Sequence, residues 1–208
     1  MLARYPKLCL VTHLQDLSFP QYEDFLRKAI KGGVTAVQLR TKGKKLAEVR
    51  ELAIKLKFLL EPLKVDLIIN DHVKIAKDID ADGVHVGQGD VSPLIARQLL
   101  GPDKIIGVSI ETLRELEIIN RCYCVDYIAA SSVFASKSKQ DGKTVWELAG
   151  LRKIVEASHY PVIAIGGINV SNIAAVMNAG AQGVAVIEAI HNHPDPEYAA
   201  SELRSHIS

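Results

Sequence analysis

Gly83-Val84-His85-Val86-Gly87-Gln88-Gly89-Asp90 is a short, mostly apolar run that breaks into a polar, glycine-rich end. The same design recurs on both sides of it. Val37-Gln38-Leu39-Arg40-Thr41-Lys42 closes one earlier run and Leu67-Ile68-Ile69-Asn70-Asp71 closes the next. Ile105-Ile106-Gly107-Val108-Ser109 and Ala164-Ile165-Gly166-Gly167-Ile168 follow it. Each run has the length and branched-residue content of a buried parallel strand. Each ends in groups suited to anions, a metal ion or an electrophile. Polar termini repeated on successive buried strands imply one shared rim, and a rim is where parallel α/β folds do their chemistry.

Working outward, strand and helix patterns alternate about eight times. Strands are predicted at 8–12, 36–40, 66–70, 83–86, 104–108, 127–130, 162–165 and 183–187. Helices are predicted at 21–31, 45–60, 73–79, 92–100, 112–120, 145–157, 170–178 and 195–206. Ser92-Pro93 pairs an N-cap candidate with a first-turn proline, and Asn169 or Ser171 can cap the seventh helix. Gly32-Gly33 and Gly180 fall where helices should stop. Units repeating at roughly 25-residue spacing predict an α/β fold, a (β/α)8 TIM barrel rather than a doubly wound open sheet. The first turn, Thr12-His13-Leu14-Gln15-Asp16-Leu17, also lacks the glycines of a dinucleotide-binding open sheet. The expectation is a single domain over residues 1–208, with strand–helix units from about 8 to 206. The one long irregular stretch, 131–144, carries Lys137, Lys139, Gly142 and Lys143, and is either a lid or a flexible surface loop.

Composition narrows the class. At 48% hydrophobic and 24% charged residues the chain reads as an ordinary globular protein. A formal net charge of +1 argues against a broad grip on nucleic acid, so any anion site must be local. No apolar stretch is long enough to span a membrane, and the N-terminus has no secretory pattern. Cys9, Cys122 and Cys124 form an odd set without zinc or disulfide spacing, and packing as small thiols is expected. A cytoplasmic protein acting on small molecules is expected. Its exposed barrel helices are available for pairing into a homo-oligomer.

The rim residues carry two readings each. Gln38, Arg40 and Lys42 alternate along an extended segment and leave one face, which suits a polyphosphate. A solvated basic turn explains them too, because Lys44 and Lys45 follow. Asp71 and Asp90 on adjacent strand ends fit magnesium, which takes a few carboxylates together with phosphate oxygens and water. Asp71 alone also fits a helix cap and Asp90 a turn. His85, inside its run, reads as a core histidine bonded to backbone in preference to a catalytic base. Gly166-Gly167 suits either a phosphate on bare backbone or a tight turn. Phe134-Ala135-Ser136-Lys137-Ser138-Lys139 offers hydroxyls and amines for closing over a charged substrate.

Together these motifs resemble the thiamine-phosphate synthase (thiamine-phosphate pyrophosphorylase) family, from about Lys7 to Ile190. The matching pieces are Gln38-Leu39-Arg40-Thr41-Lys42, Ile69-Asn70-Asp71, the run from Ala81 to Asp90, Gly107-Val108-Ser109, Asp126-Tyr127-Ile128, Lys139 and the run from Pro161 to Ile168. The resemblance implies a transferase that joins hydroxymethylpyrimidine diphosphate to hydroxyethylthiazole phosphate and releases pyrophosphate. It implies magnesium (Mg2+) on Asp71 and Asp90. Arg40, Lys42, Ser109 and Lys139 would hold the leaving pyrophosphate, and Gln38 and Asn70 would face the pyrimidine. Ser136 and Ser138, with Gly167 and the Ile187-Glu188 backbone, would hold the thiazole phosphate. The implied mechanism is dissociative: the diphosphate leaves first and the thiazole nitrogen captures a pyrimidine carbocation.

The chain departs from the family pattern at Ser131-Ser132, where Gly-Pro is usual, and at Ala135, where proline is common. It departs again at Ser136 and Ser138 for threonine, and at Glu188 for serine. These changes fall on the thiazole-phosphate half. The related thiazole tautomerases, which use a histidine near the lid, are a rival reading, but no histidine lies between His85 and His159. A non-catalytic barrel binding a thiamine precursor, or a phosphate-binding barrel isomerase, would also suit parts of the pattern.

Overall fold

The computed structural model describes residues 5–14, 17–135 and 145–207. Eight strands, β1 (Leu8–Val11), β2 (Ala36–Leu39), β3 (Asp66–Asn70), β4 (Gly83–Val86), β5 (Ile105–Ile110), β6 (Tyr127–Ser131), β7 (Val162–Ile165) and β8 (Gly183–Val186), pair in sequence order. All neighbours are parallel. Pairing of Leu8 with Val184, Cys9 with Ala185 and Leu10 with Val186 joins the last strand to the first and closes the barrel. Helices α1 (Phe19–Lys31), α2 (Leu46–Leu60), α3 (Val73–Asp78), α4 (Pro93–Leu100), α5 (Leu113–Asn120), α6 (Glu147–Ala157) and α7 (Ile173–Asn178) alternate with the strands. The chain ends in α8 (Glu188–His191) and α9 (Pro196–Ser205). The predicted (β/α)8 TIM barrel is the observed fold.

Strand side chains alternate between two faces, and the apolar residues accordingly separate into two clusters. Leu8, Leu10, Val37, Leu39, Leu67 and Ile69, with their equivalents on the other strands, pack outward against the helices. Cys9, Val11, Ala36, Ile68, Ile105, Tyr127, Ile163 and Ala185 point into the barrel. The interior set is small in number and rich in small residues, so its upper part remains open. The same alternation carries Gln38, Asn70, His85 and Ser109 inward at the carboxyl ends.

At the opposite, amino-terminal end a polar device repeats four times. Thr35, Asp82, Asp126 and Gln182 each immediately precede an even-numbered strand. Each accepts an N–H from the first turn of the preceding odd strand, donated by Leu8, Leu67, Ile106 and Val162 at 3.1, 2.9, 2.7 and 2.6 Å. These donors begin the sheet and need partners there. Asp126 also pairs with Arg97 at 2.7 Å, and Arg97 donates to the carbonyls of Gly101, Lys104 and Cys124.

Several sequence expectations need adjustment. Helix α7 starts three residues later than expected. Its N-cap is Asn172, because Asn169 and Ser171 bond to each other in the turn before it. Ser92 does cap α4, accepting from Ile95 N–H. A 3-10 turn at Glu61–Leu63 and the short α8 were not anticipated. Cys122 and Cys124 are joined in a disulfide rather than packing as separate thiols. The turn after α5 doubles back, with Cys124 N–H donating to the Cys122 carbonyl at 2.8 Å, and holds the two Cα atoms 5.3 Å apart. Cys9 is a buried free thiol whose pKa burial pushes up to about 12. No helix among the described residues is long and apolar enough to cross a membrane.

Because Asp126 accepts from both the buried Ile106 amide and the half-buried Arg97, its loss leaves one buried donor without this partner and weakens the hold on Arg97. Asp126→Ala is expected to lower unfolding stability by roughly 2–4 kcal/mol. Urea denaturation measures this, while ligand affinity at the far rim should not change.

Candidate functional site

A cavity of about 570 Å³ opens at the carboxyl ends of the strands. On the β2–β5 side its wall includes Gln38, Arg40, Lys42, Asn70, Asp71 and Ser109, all singled out from sequence. On the β7–β8 side it includes Gly167, Ile187 and Glu188. Asp90, exposed on the turn after β4, is in hydrogen-bond contact with Asp71. Ser136, Ser138 and Lys139 lie outside the described residues.

The cationic corner is built from the strand end outward. Arg40 follows β2, and Thr12, the buried residue after β1, clamps its backbone: Arg40 N–H donates to Thr12 Oγ1 at 2.9 Å, and the same hydroxyl donates to the Arg40 carbonyl. Lys42 sits in the turn beyond it, so the strand itself does not extend that far, yet its side chain still reaches the cavity wall. Both Arg40, half-buried, and Lys42, exposed, line the cavity.

The acidic pair is next to it. Asp71 adopts a left-handed backbone conformation with φ 65°, which Asp tolerates better than most residues. Its N–H donates to the His85 carbonyl at 2.9 Å. Helix α3 is capped at His72, not by the Asp71 side chain, so the capping reading is set aside. Asp90 Oδ2 accepts from Gly87 N–H at 2.8 Å, which fixes the turn. The Asp71 pKa is raised from its usual value to about 7, chiefly by burial and then by the neighbouring Asp90 carboxyl. Arg40 pulls the other way but does not cancel the effect.

His85 is not a core histidine bonded to backbone, as its run suggested. Its Nδ1 lies 3.0 Å from Tyr127 Oη and its Nε2 2.9 Å from Ser109 Oγ. Tyr127 in turn is hydrogen-bonded by the Gln38 side chain, and burial holds its phenol neutral. One set of proton positions satisfies this chain. Gln38 donates to Tyr127, Tyr127 donates to Nδ1, and Nε2–H donates to Ser109 Oγ, which turns the Ser109 proton away from His85. Gln88 Nε2 also donates to the Ser109 carbonyl at 2.7 Å. Tyr127 reaches His85 only because residue 107 is glycine: a Cβ there would lie 2.1 Å from the Tyr127 ring.

On the other side, the chain leaving β6 continues along β7. Val133 N–H donates to Ile165 carbonyl at 2.8 Å and Phe134 N–H to Gly166 carbonyl at 3.1 Å. Ser132 packs so tightly on Gly166, which has φ 102°, that a Cβ at 166 would lie 2.5 Å from the serine Cβ. Ser131-Ser132 and Ala135, the departures from the family pattern, thus form part of the wall beside Gly166-Gly167. Asn172 donates to the Gly167 carbonyl at 2.9 Å. His85 and Gln88, which line the cavity, and Tyr127 and Asn172, which bond to residues that line it, were not among the expected site residues. The two-residue period put His85 and Tyr127 on the inward face, which was the available signal.

Several proteins are similar to this chain over nearly its full length. The family model for thiamine monophosphate synthase matches residues 8–190. A thiamine-phosphate synthase from Chlamydia caviae is 41% identical over 198 residues, covering 95% of this chain and 93% of the relative. One from Vibrio parahaemolyticus is 43% identical over 199 residues, covering 96% and 97%. The solved structure of thiamine phosphate pyrophosphorylase from Pyrococcus furiosus superposes with a TM-score of 0.85 at 35% identity, covering 96% of this chain and 94% of that one.

Asp71 supplies a pH test. Its folded-state pKa of about 7 lies above the 3.8 of an ordinary aspartate. Its contribution to stability is therefore complete below about pH 4 and is lost as pH rises to about 7. In chelator, the unfolding midpoint of Asp71→Asn should fall less than that of the native protein across this window. Equal slopes for the two would remove Asp71 from the account.

Proposed function

The chain belongs to the thiamine monophosphate synthase family, and from that footing we propose which rim residues carry its transferase reaction. The reaction is that of a thiamine-phosphate synthase: hydroxymethylpyrimidine diphosphate and hydroxyethylthiazole phosphate give thiamine phosphate and pyrophosphate. The observation that supports the residue roles most directly is that Asp71, on the cavity wall beside Arg40, is also in contact with Asp90 on the exposed turn next to it.

Magnesium fits that corner. The donors are hard carboxylate oxygens, only two in number, which leaves coordination positions for phosphate oxygens and water. A cation would also relieve the repulsion that holds a proton on Asp71. In this reading Asp71 and Asp90 hold the ion, and when bound it neutralises charge on the departing pyrophosphate.

Arg40 and Lys42 offer a planar fork and a point charge to the same phosphates, with Lys139 joining them. Ser109, oriented by His85 and Gln88, donates its hydroxyl proton to a phosphate oxygen. Gln38 and Asn70 face the pyrimidine ring. The wall formed by Gly167 and the Ile187-Glu188 backbone, with Ser136 and Ser138, takes the thiazole phosphate. A dissociative reaction makes few covalent demands on a protein. It needs a stabilised leaving group, an oriented nucleophile and exclusion of water, and the groups around this cavity answer the first two.

The decisive assay mixes the protein, both substrates and magnesium and follows pyrophosphate release; no release would sink the reading. Asp90→Ala is expected to reduce turnover by about a hundredfold or more. Near-native rates for that variant at low magnesium would remove Asp90 from the metal role.

A further inference from the structure

The short α8 and the segment after β1 meet at one side chain that the reaction as described does not use. His191 closes α8, and its Nδ1 lies 2.9 Å from the carbonyl of Ile187, the residue between β8 and α8. Its Nε2 lies 3.0 Å from Tyr22 Oη and 3.2 Å from the backbone nitrogen of His13. The ring is sandwiched in an aromatic group. It stacks on Tyr22 at 5.9 Å and 19°, and lies 4.7 Å from Phe25, with the His13 ring edge-on at 6.0 Å. Tyr22 and Phe25 both belong to α1.

The hydrogen bonds assign the tautomer. A carbonyl only accepts, so Nδ1 carries the proton; a backbone N–H only donates, so Nε2 is the acceptor. Tyr22 then donates its hydroxyl to Nε2 as well. The imidazole is neutral, with its pKa lowered to about 4, first by burial. A protonated ring would set an Nε2–H against the His13 N–H.

We propose that His191 is a positioning residue for the thiazole-phosphate half of the site. Its Nδ1–H joins the Ile190 and His191 N–H groups on the Ile187 carbonyl, and as the one side-chain donor of the three it ties the turn of Ile187, Glu188 and Ala189, which lines the cavity, to the aromatic group on α1. Its Nε2, together with the Tyr22 hydroxyl oxygen, accepts the His13 N–H in the segment leaving β1, and Val11, two residues earlier, lines the same cavity. One ring therefore ties two rim segments from opposite ends of the chain. The proposal rests on the functional reading above for the identity of the ligand, not for the geometry.

The test compares native protein with His191→Phe, which keeps the ring stack on Tyr22 and Phe25 but removes all three hydrogen bonds of the imidazole. Calorimetry with the thiazole phosphate alone should give about tenfold weaker binding for the variant. Steady-state KM for that substrate should rise in parallel, with KM for the pyrimidine diphosphate and kcat within about twofold of native. His191→Asn, which returns a donor near the Nδ1 position, should recover most of the affinity. Long-range nitrogen–proton NMR on the native protein should report the Nδ1–H tautomer. Native affinity in His191→Phe, or an equal loss for both substrates, would overturn the role. If His191→Phe does not fold, His191→Leu replaces it, and unchanged thiazole phosphate binding there would overturn the proposal. Absence of pyrophosphate release by the native protein would instead count against the functional reading, because the calorimetric comparison does not need turnover.

Discussion

Hydrogen-bonded pairing of β1 with β8 closes the sheet, and closure forces every second strand side chain into an interior of limited room. Most later features follow from that constraint. Inward positions at the amino-terminal end hold Cys9, Ala36, Ile68, Ile105 and Ile163, which fill the space. Inward positions one step further along hold Gln38, Asn70, His85 and Ser109. Small residues at the rim, such as Ala185, Gly166 and Gly167, line the volume that remains there as the cavity.

The two ends of the barrel divide their work. The amino-terminal end is a belt of side chains that accept strand amides, repeated at Thr35, Asp82, Asp126 and Gln182. That belt is structural and carries none of the proposed chemistry, in keeping with the usual division in such barrels. Asp126 illustrates the point, since it belongs to a family motif yet lies far from the cavity with Arg97 as its partner. The carboxyl-terminal end accepts an energetic cost. Asp71 and Asp90 sit close together with one of them partly buried, an arrangement that is unfavourable until a cation or a proton intervenes.

The two halves of the cavity also differ in construction. The β2–β5 side is set by strand register, with each functional group following its strand at a fixed offset. The β7–β8 side depends on loops and on packing between distant segments. There Ser132 presses on Gly166, Asn172 holds Gly167, and His191 ties the end of the barrel back to its beginning. Ser131, Ser132, Ala135 and Glu188, where the sequence departs from the pattern it resembles, line this second side, where loop contacts can adjust around a changed residue more easily than a strand can change register.

Local pattern was enough to recover the eight strands and the polar ends that define the rim, because periodicity two and buried branched residues are properties of each segment alone. It was also enough to single out Gln38, Arg40, Asn70, Asp71 and Ser109, since residues at a strand end must share the rim if the strands are parallel. It could not give the partners of those residues. His85 looked like a core residue until β4, β5 and β6 were laid side by side, bringing Tyr127 and Ser109 to its two ring nitrogens. Cys122 and Cys124 looked unpaired until the turn folded back on itself. His191 carried no motif at all, because its meaning depends on Tyr22 and His13, about 170 residues away. A sequence specifies which groups each segment presents and on which face; contacts between segments exist only once closure has chosen a register and curvature, and those are properties of the whole chain.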